Sequence, residues 1–382
     1  MIADRINQIQ ESGSIALAQK VTELRTQGHK IISLSIGEPD FPPHPDILQA
    51  TKDALDRHET KYSLVHGIIP LRQAIATKMK RDHQIEVGVE NILVSNGSKQ
   101  TLYSLFQALI NPGDEVLVPA PYWVTIPEAI RLAGGVPVFV TSENLLPNIE
   151  ALQKAVTPKT RAIIINSPNN PTGLMIPQKL MEELGAFVIK NDLLLISDEA
   201  YEVLTFDTKH ISPASLSPEL FDRTLTVQSF SKSYCMTGFR IGYVVGPKKY
   251  IHAMYKLQSH LTGNNCTFAQ YGALKALELP LELLEDYRQV YQKRRDYAYE
   301  RAIKIFQVEK PQGAFFLFPN VSNYLEKRFK TSDEMALYLL EEAKVALLPG
   351  SFFGLDPYLR ISFATNLDEL REAFDRIEKA LL

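Results

Sequence analysis

The chain has 382 residues, 45% of them apolar and 22% charged, with a formal net charge of −3. That length allows two domains or one large one, and with no basic stripe or like-charge tail the chain reads as a partner of neither nucleic acid nor an acidic membrane surface. The two cysteines, Cys235 and Cys266, are too few for a disulfide scaffold or a cysteine metal site and fit a reducing compartment; with a polar N-terminus and no apolar run long enough to cross a bilayer, the expected location is cytoplasmic.

In chain order, residues 14–28 read as a helix and residues 43–58 as a second, entered through Pro42-Pro-His-Pro45. Short β-branched runs then follow at 91–95, 115–118, 136–140, 162–165, 193–197, 225–227 and 241–245. Continuous apolar runs of this kind suit buried strands of a mostly parallel sheet. Helical stretches lie between them, at 99–109, 122–132 and 177–190. A long helix is expected from about residue 282 to Ile305, then Ala314-Phe-Phe-Leu-Phe, a helix, the strand Tyr358-Leu-Arg-Ile-Ser-Phe and a closing helix. The expectation is an α/β fold: a large domain with a mostly parallel seven-stranded sheet between helices (46–285), and a smaller α+β domain drawn from both ends, 1–45 and 286–382.

Four segments place polar groups just past apolar runs, where open α/β sheets bind ligands, and a fifth places one inside a strand. The first is Ser229-Phe-Ser-Lys-Ser-Tyr-Cys-Met-Thr-Gly-Phe-Arg-Ile-Gly242. Lys232 lies there between two apolar runs; a desolvated lysine loses its proton readily and attacks carbonyls. Ser229, Ser231 and Arg240 are natural phosphate ligands, so the segment suggests pyridoxal phosphate. It also fits a surface lysine on a loop. Asn96-Gly-Ser-Lys-Gln100 opens a helix and offers free N–H groups to an anion, or is an ordinary strand–glycine–helix turn. Asn166-Ser-Pro-Asn-Asn-Pro-Thr-Gly173 holds its asparagines rigidly, or is only a proline-rich turn. Asp198-Glu-Ala-Tyr201 ends a buried run, where a carboxylate needs a cation such as a pyridinium nitrogen or serves as a helix N-cap. Arg360, in mid-strand, grips a substrate carboxylate or an internal acid.

Taken together, and in this order, these residues resemble the class I and II aminotransferases, the fold-type-I pyridoxal-phosphate enzymes. The resemblance runs nearly end to end, through Ser35-Ile-Gly-Glu-Pro-Asp40, Tyr62-Ser-Leu-Val-His-Gly67, Pro121-Tyr-Trp-Val124, Asn169-Asn-Pro-Thr-Gly173, Lys232 and Arg360. It is most similar to the bacterial aspartate aminotransferase branch. The resemblance implies that Lys232 forms the Schiff base with pyridoxal 5'-phosphate and moves the proton, that Asp198 pairs with the ring nitrogen, and that Tyr201 and Asn170 bond the ring's phenolic oxygen. It implies that Trp123 stacks on the ring, and that Gly97, Ser98, Ser229, Ser231 and Arg240 hold the phosphate. Tyr62 would reach the phosphate of a partner subunit, so a homodimer with shared sites is implied. Gly37, Asn170 and Arg360 would take the substrate α-carboxylate.

Lys99 stands where this branch carries a lysine for a distal carboxylate; it also suits the cofactor phosphate or solvent. The implied activity is amino transfer between an amino acid, aspartate or glutamate, and a 2-oxo acid, with no metal. Prephenate or aromatic substrates, and a C–S lyase on the same fold, are the alternatives. His260-Leu-Thr-Gly-Asn-Asn-Cys-Thr-Phe-Ala-Gln270 departs from the Ser/Thr-rich stretch of the family.

Overall fold

The β-branched runs form one seven-stranded sheet in this computed structural model, which describes residues 2–11, 13–325 and 327–381. Its strands are β1 (Ile92–Ser95), β2 (Glu115–Pro119), β3 (Val136–Val140), β4 (Thr160–Asn166), β5 (Leu194–Asp198), β6 (Thr224–Ser229) and β7 (Gly242–Val245). Their spatial order is β1-β7-β6-β5-β4-β2-β3. All neighbours are parallel except β7, which runs antiparallel to both β1 and β6. The central strands are buried on both sides, which is why they lack polar alternation.

Helices cover both faces. On one, Leu102, Leu105 and Phe106 of helix Ser98–Leu109 and Ile251 and Met254 of helix Lys248–Leu261 pack on Leu93, Val116, Ile196 and Leu225. On the other, Leu184 and Phe187 of helix Gln178–Lys190 meet Ile163 and Leu195, while Ile75 and Met79 of helix Ile69–His83 meet Val94 and Tyr243.

Several sequence boundaries shift. The helix expected from Tyr122 begins at Thr125, because the Pro121–Val124 segment forms a turn whose Tyr122 N–H donates to Phe353 O at 3.1 Å. Those expected at 14–28, 43–58 and 282–305 span Gly13–Thr26, Pro45–Asp56 and Leu281–Ala302. Helices Ile69–His83, Lys248–Leu261 and Thr267–Glu278 were not anticipated. The first hides its period because Arg72 and Lys78 are buried beside Leu71, Ile75 and Met79.

Near the sheet's C-terminal edge sits the smaller unit. Its three-stranded antiparallel sheet comprises β8 (Phe316–Leu317), β9 (Leu348–Pro349) and β10 (Leu359–Ser362), with β10 in the middle. Ile32–Ser33 pairs in parallel with Val345–Ala346, and one apolar cluster joins Ile32 and Leu34 to Phe315, Phe316, Leu359 and Phe374. The two ends of the chain thus share one core.

Leu225, fully buried in the central strand β6, tests the sheet's contribution. Leu225→Ala is expected to lower unfolding free energy by about 2–5 kcal/mol, read as a lower urea midpoint with an unchanged slope.

Candidate active site

The parallel strands β4, β5 and β6 end side by side at Asn166, Asp198 and Ser229. Between β6 and β7 the chain makes one helical turn, Phe230–Ser233, capped by Ser229, whose Oγ accepts from Ser231 N at 3.1 Å. This turn holds Lys232, so the lysine is not on a surface loop. Its Nζ donates to Gly37 O at 2.6 Å. Desolvation brings its pKa down to about 8, helped by the charges of Arg240, Arg360 and Lys99 and opposed by that of Glu38.

Asp198 is buried, and Ala200 N donates to its Oδ1 at 3.2 Å. Residues 199–203 form a turn rather than a helix, so this is no helix cap. No cation pairs with Asp198 among the described residues. Burial, reinforced by neighbouring Glu199, pushes its pKa up to about 7. Tyr201 follows, buried edge-on against Phe315 and Phe316, with its phenol pKa raised first by burial.

Arg360 crosses over from β10. It is 5% exposed, and among the described residues no carboxylate pairs with it. Nη1 donates to Asn170 Oδ1 at 2.9 Å and Nη2 to Ser35 O at 2.6 Å, while Nε has no partner. The guanidinium lies 4.4 Å from the Phe316 ring centre and 5.1 Å from that of Phe353. Burial lowers its pKa to about 10. The internal ion pair that the sequence left open is therefore absent among the described residues. Asn170 is fixed from behind by its own N–H on Asn166 Oδ1 at 2.7 Å. A side chain on Gly37 would start 3.9 Å from both terminal nitrogens of Arg360, so Gly37 leaves that end open.

Gly97, with φ +81°, and Ser98 open helix Ser98–Leu109 beside β7. A Cβ on Gly97 would stand 2.6 Å from Arg240 Nη2, and one on Gly242 2.5 Å from Ser98 N. Arg240 therefore faces the free N–H groups of a helix start, and both attract an anion. Its Nη1 is held by Thr237 O at 2.8 Å. Lys99 lies on the same turn, its Nζ 5.2 Å from the Trp123 ring centre; desolvation and then Arg240 lower its pKa. Tyr62 stands apart, 98% exposed, beside a surface depression it lines with Lys61, Asn264 and Cys266.

The Ser35–Asp40 motif forms a strap that crosses the site; what sequence reasoning missed is what the strap bonds to. Ser35 O and Gly37 O accept from Arg360 and Lys232, Glu38 bonds Thr237, and Asp40 takes a forked pair from Arg294 at 2.7 and 2.9 Å. No local signal in Ser35-Ile-Gly-Glu-Pro-Asp40 names those partners, which lie some 200 to 320 residues away.

The family model for aminotransferase class I and II matches residues 29–377. An aspartate aminotransferase of Bacillus sp. (strain YM-2) is 42% identical, covering 99% of this chain and 98% of that one. A probable aspartate/prephenate aminotransferase of Aquifex aeolicus is also 42% identical, covering 100% and 98%. The crystal structure of the aspartate aminotransferase from Rhizobium meliloti superposes with a TM-score of 0.96 at 36% identity, covering 100% of this chain and 98% of that one.

The buried carboxyl makes a prediction for the ligand-free protein. Folding raises the Asp198 pKa from 3.8 to about 7. The folded state then holds a proton that the unfolded chain has released. The group's contribution is full below the unfolded value and is lost as pH rises through the folded one. Asp198→Asn does not titrate, so its stability relative to the parent should rise between about pH 5 and about pH 8. Urea unfolding at both values checks it; a difference that does not change with pH refutes the assignment.

Proposed function

This chain belongs to the class I and II aminotransferases, whose members use pyridoxal phosphate, and we propose that it moves an amino group between aspartate or glutamate and a 2-oxo acid. The observation that carries the amino-acid reading is Arg360: a buried guanidinium with, among the described residues, no acid beside it and an unpartnered Nε is a site for an α-carboxylate; Lys99 carries the choice of a substrate with a second carboxylate.

The residues present fit the family's cofactor. Asp198, buried without a cation among the described residues, would hold the ring nitrogen. Arg240, Ser229, Ser231 and the Gly97–Ser98 turn would hold the phosphate, Tyr201 and Asn170 the phenolic oxygen, and Trp123 the ring face. When bound, the group supplies an electron sink for charge developing at the substrate α-carbon. Lys232 supplies the amine that anchors it. Burial lowers the pKa of Nζ and so favours the neutral amine, which can take the α-proton and, once carrying it, return it. Arg360 grips the α-carboxylate, exchanging Asn170 Oδ1 and Ser35 O for a charged acceptor. Lys99, without an acid partner among the described residues, meets the distal carboxylate.

The working form in this reading is a homodimer, supported by the wholly exposed Tyr62, which would complete the phosphate site of a second copy. Residues 1–45 and 286–382 would form the small domain and 46–285 the large one, a division supported by the apolar cluster that unites both chain ends. The two free cysteines support a cytoplasmic setting. No helix among the described residues is long and apolar enough to cross a membrane. The prephenate reading is favoured by the same Lys99 beside Trp123, a cation next to a ring face.

Three experiments test this. In an amino-donor screen read by the cofactor's absorbance change, aspartate and glutamate should respond most strongly; a response to aromatic amino acids alone overturns the role of Lys99. Pyruvate and ammonia from a cysteine conjugate, without glutamate from aspartate and 2-oxoglutarate, would mark a lyase instead. Lys232→Ala should keep the cofactor non-covalently and lose transamination by about two to four orders of magnitude; normal turnover would refute Lys232 as the base.

A further inference from the structure

Behind the strand ends that carry the site lies a second polar layer that the reaction does not use. Successive side chains on a strand point to opposite sides. Asp198 of β5 and Ser229 of β6 face the site, so Ser197, Glu199 and Gln228 face away from it. Cross-strand pairing places Tyr243 of β7 against Gln228 and Gly242 against Ser229, in the same alternation. Glu199 is fully buried. Its Oε1 accepts from Ser197 Oγ at 2.9 Å and Ser212 Oγ at 2.8 Å. Its Oε2 lies 2.9 Å from His210 Nε2 and 3.3 Å from Gln228 Nε2. Glu202 continues the layer, 2.6 Å from Lys78 Nζ and 3.0 Å from His83 Nε2. His83 and Tyr243 both reach back to Gln228.

Such a layer is expensive. Well-packed apolar residues in place of buried ion pairs are often neutral or stabilising, and the apolar clusters on either side show that this fold can build them. What marks the layer out is its position. Glu199 is the next residue after Asp198, and its backbone is locked: Glu199 N donates to Val227 O at 2.8 Å, and Glu202 N to Glu199 O at 3.0 Å.

We infer that Glu199, held by Ser197, Ser212, His210 and Gln228, is a positioning residue: it fixes the Asp198 turn and sets a second negative charge behind it, so that the site favours a cationic ring nitrogen over a neutral ring atom. The inference rests on the reading of Asp198 given above. Two adjacent buried carboxylates repel one another, and a cation in front of Asp198 relieves that repulsion. The field of Glu199 does act on Asp198 in the expected direction, raising its pKa after the larger effect of burial.

The test is binding, not turnover. Pyridoxamine 5'-phosphate, which binds without a covalent bond, is titrated against its analogue carrying C–H in place of the ring nitrogen, read by quenching of Trp123, the one tryptophan. The parent protein should prefer the nitrogen ring, and Glu199→Gln should cut that preference about tenfold. An unchanged preference overturns the inference, as does an equal loss of affinity for both ligands, which marks a merely structural role. If the parent protein shows no preference, it is the Asp198 reading that fails. Where Glu199→Gln gives no folded protein, Ser212→Ala, which removes one hydroxyl from Oε1, is read the same way: a smaller fall in preference supports the inference and none refutes it.

Discussion

The structure is organised around charges withdrawn from water without internal neutralisation. Among the described residues, Arg360 has neutral oxygens where an acid would be expected, Asp198 has no cation, and Lys232 has only a backbone carbonyl. Each arrangement costs stability, because burial disfavours the ionised form. Their signs are complementary to one ligand set: an anion for Arg360, a cation for Asp198 and a carbonyl for the Lys232 amine. The fold holds them in place through packing elsewhere, in the apolar clusters on both faces of the sheet and in the shared core of the two chain ends.

The strap from Ser35 to Asp40 links those charges. It accepts from Arg360 and Lys232 and is anchored to helix Leu281–Ala302 through Asp40 and Arg294. In the proposed reading a carboxylate on Arg360 and a carbonyl at Lys232 would compete for the hydrogen bonds that hold its first half, whereas the anchor at Asp40 would be untouched by either. Occupancy of the site and the seating of Ser35–Gly37 would then be coupled through two donors.

Much of this was legible in the sequence, and the reason is local. Lys232, Asn170 and Gly97 sit in turns just past short β-branched runs, where glycine, proline and asparagine punctuate the chain, and Asp198 is the last residue of such a run. Arg360 was legible as a charge inside an apolar strand. What escaped was produced by pairing across distance. Lys78, His83, Glu202 and Gln228 are unremarkable surface-type residues until helix Ile69–His83 is laid beneath the sheet. The departure at His260–Gln270 became intelligible in the same way. Asn265 donates to Asn96 Oδ1 at 2.8 Å, and Gln270 accepts from Ile68 N at 2.8 Å while donating to Asn265 O at 3.1 Å, so this stretch buttresses the turn before Gly97 through buried amides.

The reversed direction of β7 has a bearing on how such a site can be altered. Parallel neighbours need a crossover of a dozen or more residues, commonly a helix packed on the sheet, whereas antiparallel neighbours are joined directly. Because β6 and β7 are antiparallel, a single hairpin carries Lys232 near one end and Arg240 near the other. The proposed covalent anchor and the proposed anion-binding cation thus belong to one cassette, framed by Ser229 and Gly242. An insertion within it would change the span between them, while exchange of the whole piece between related scaffolds would carry both groups over in register.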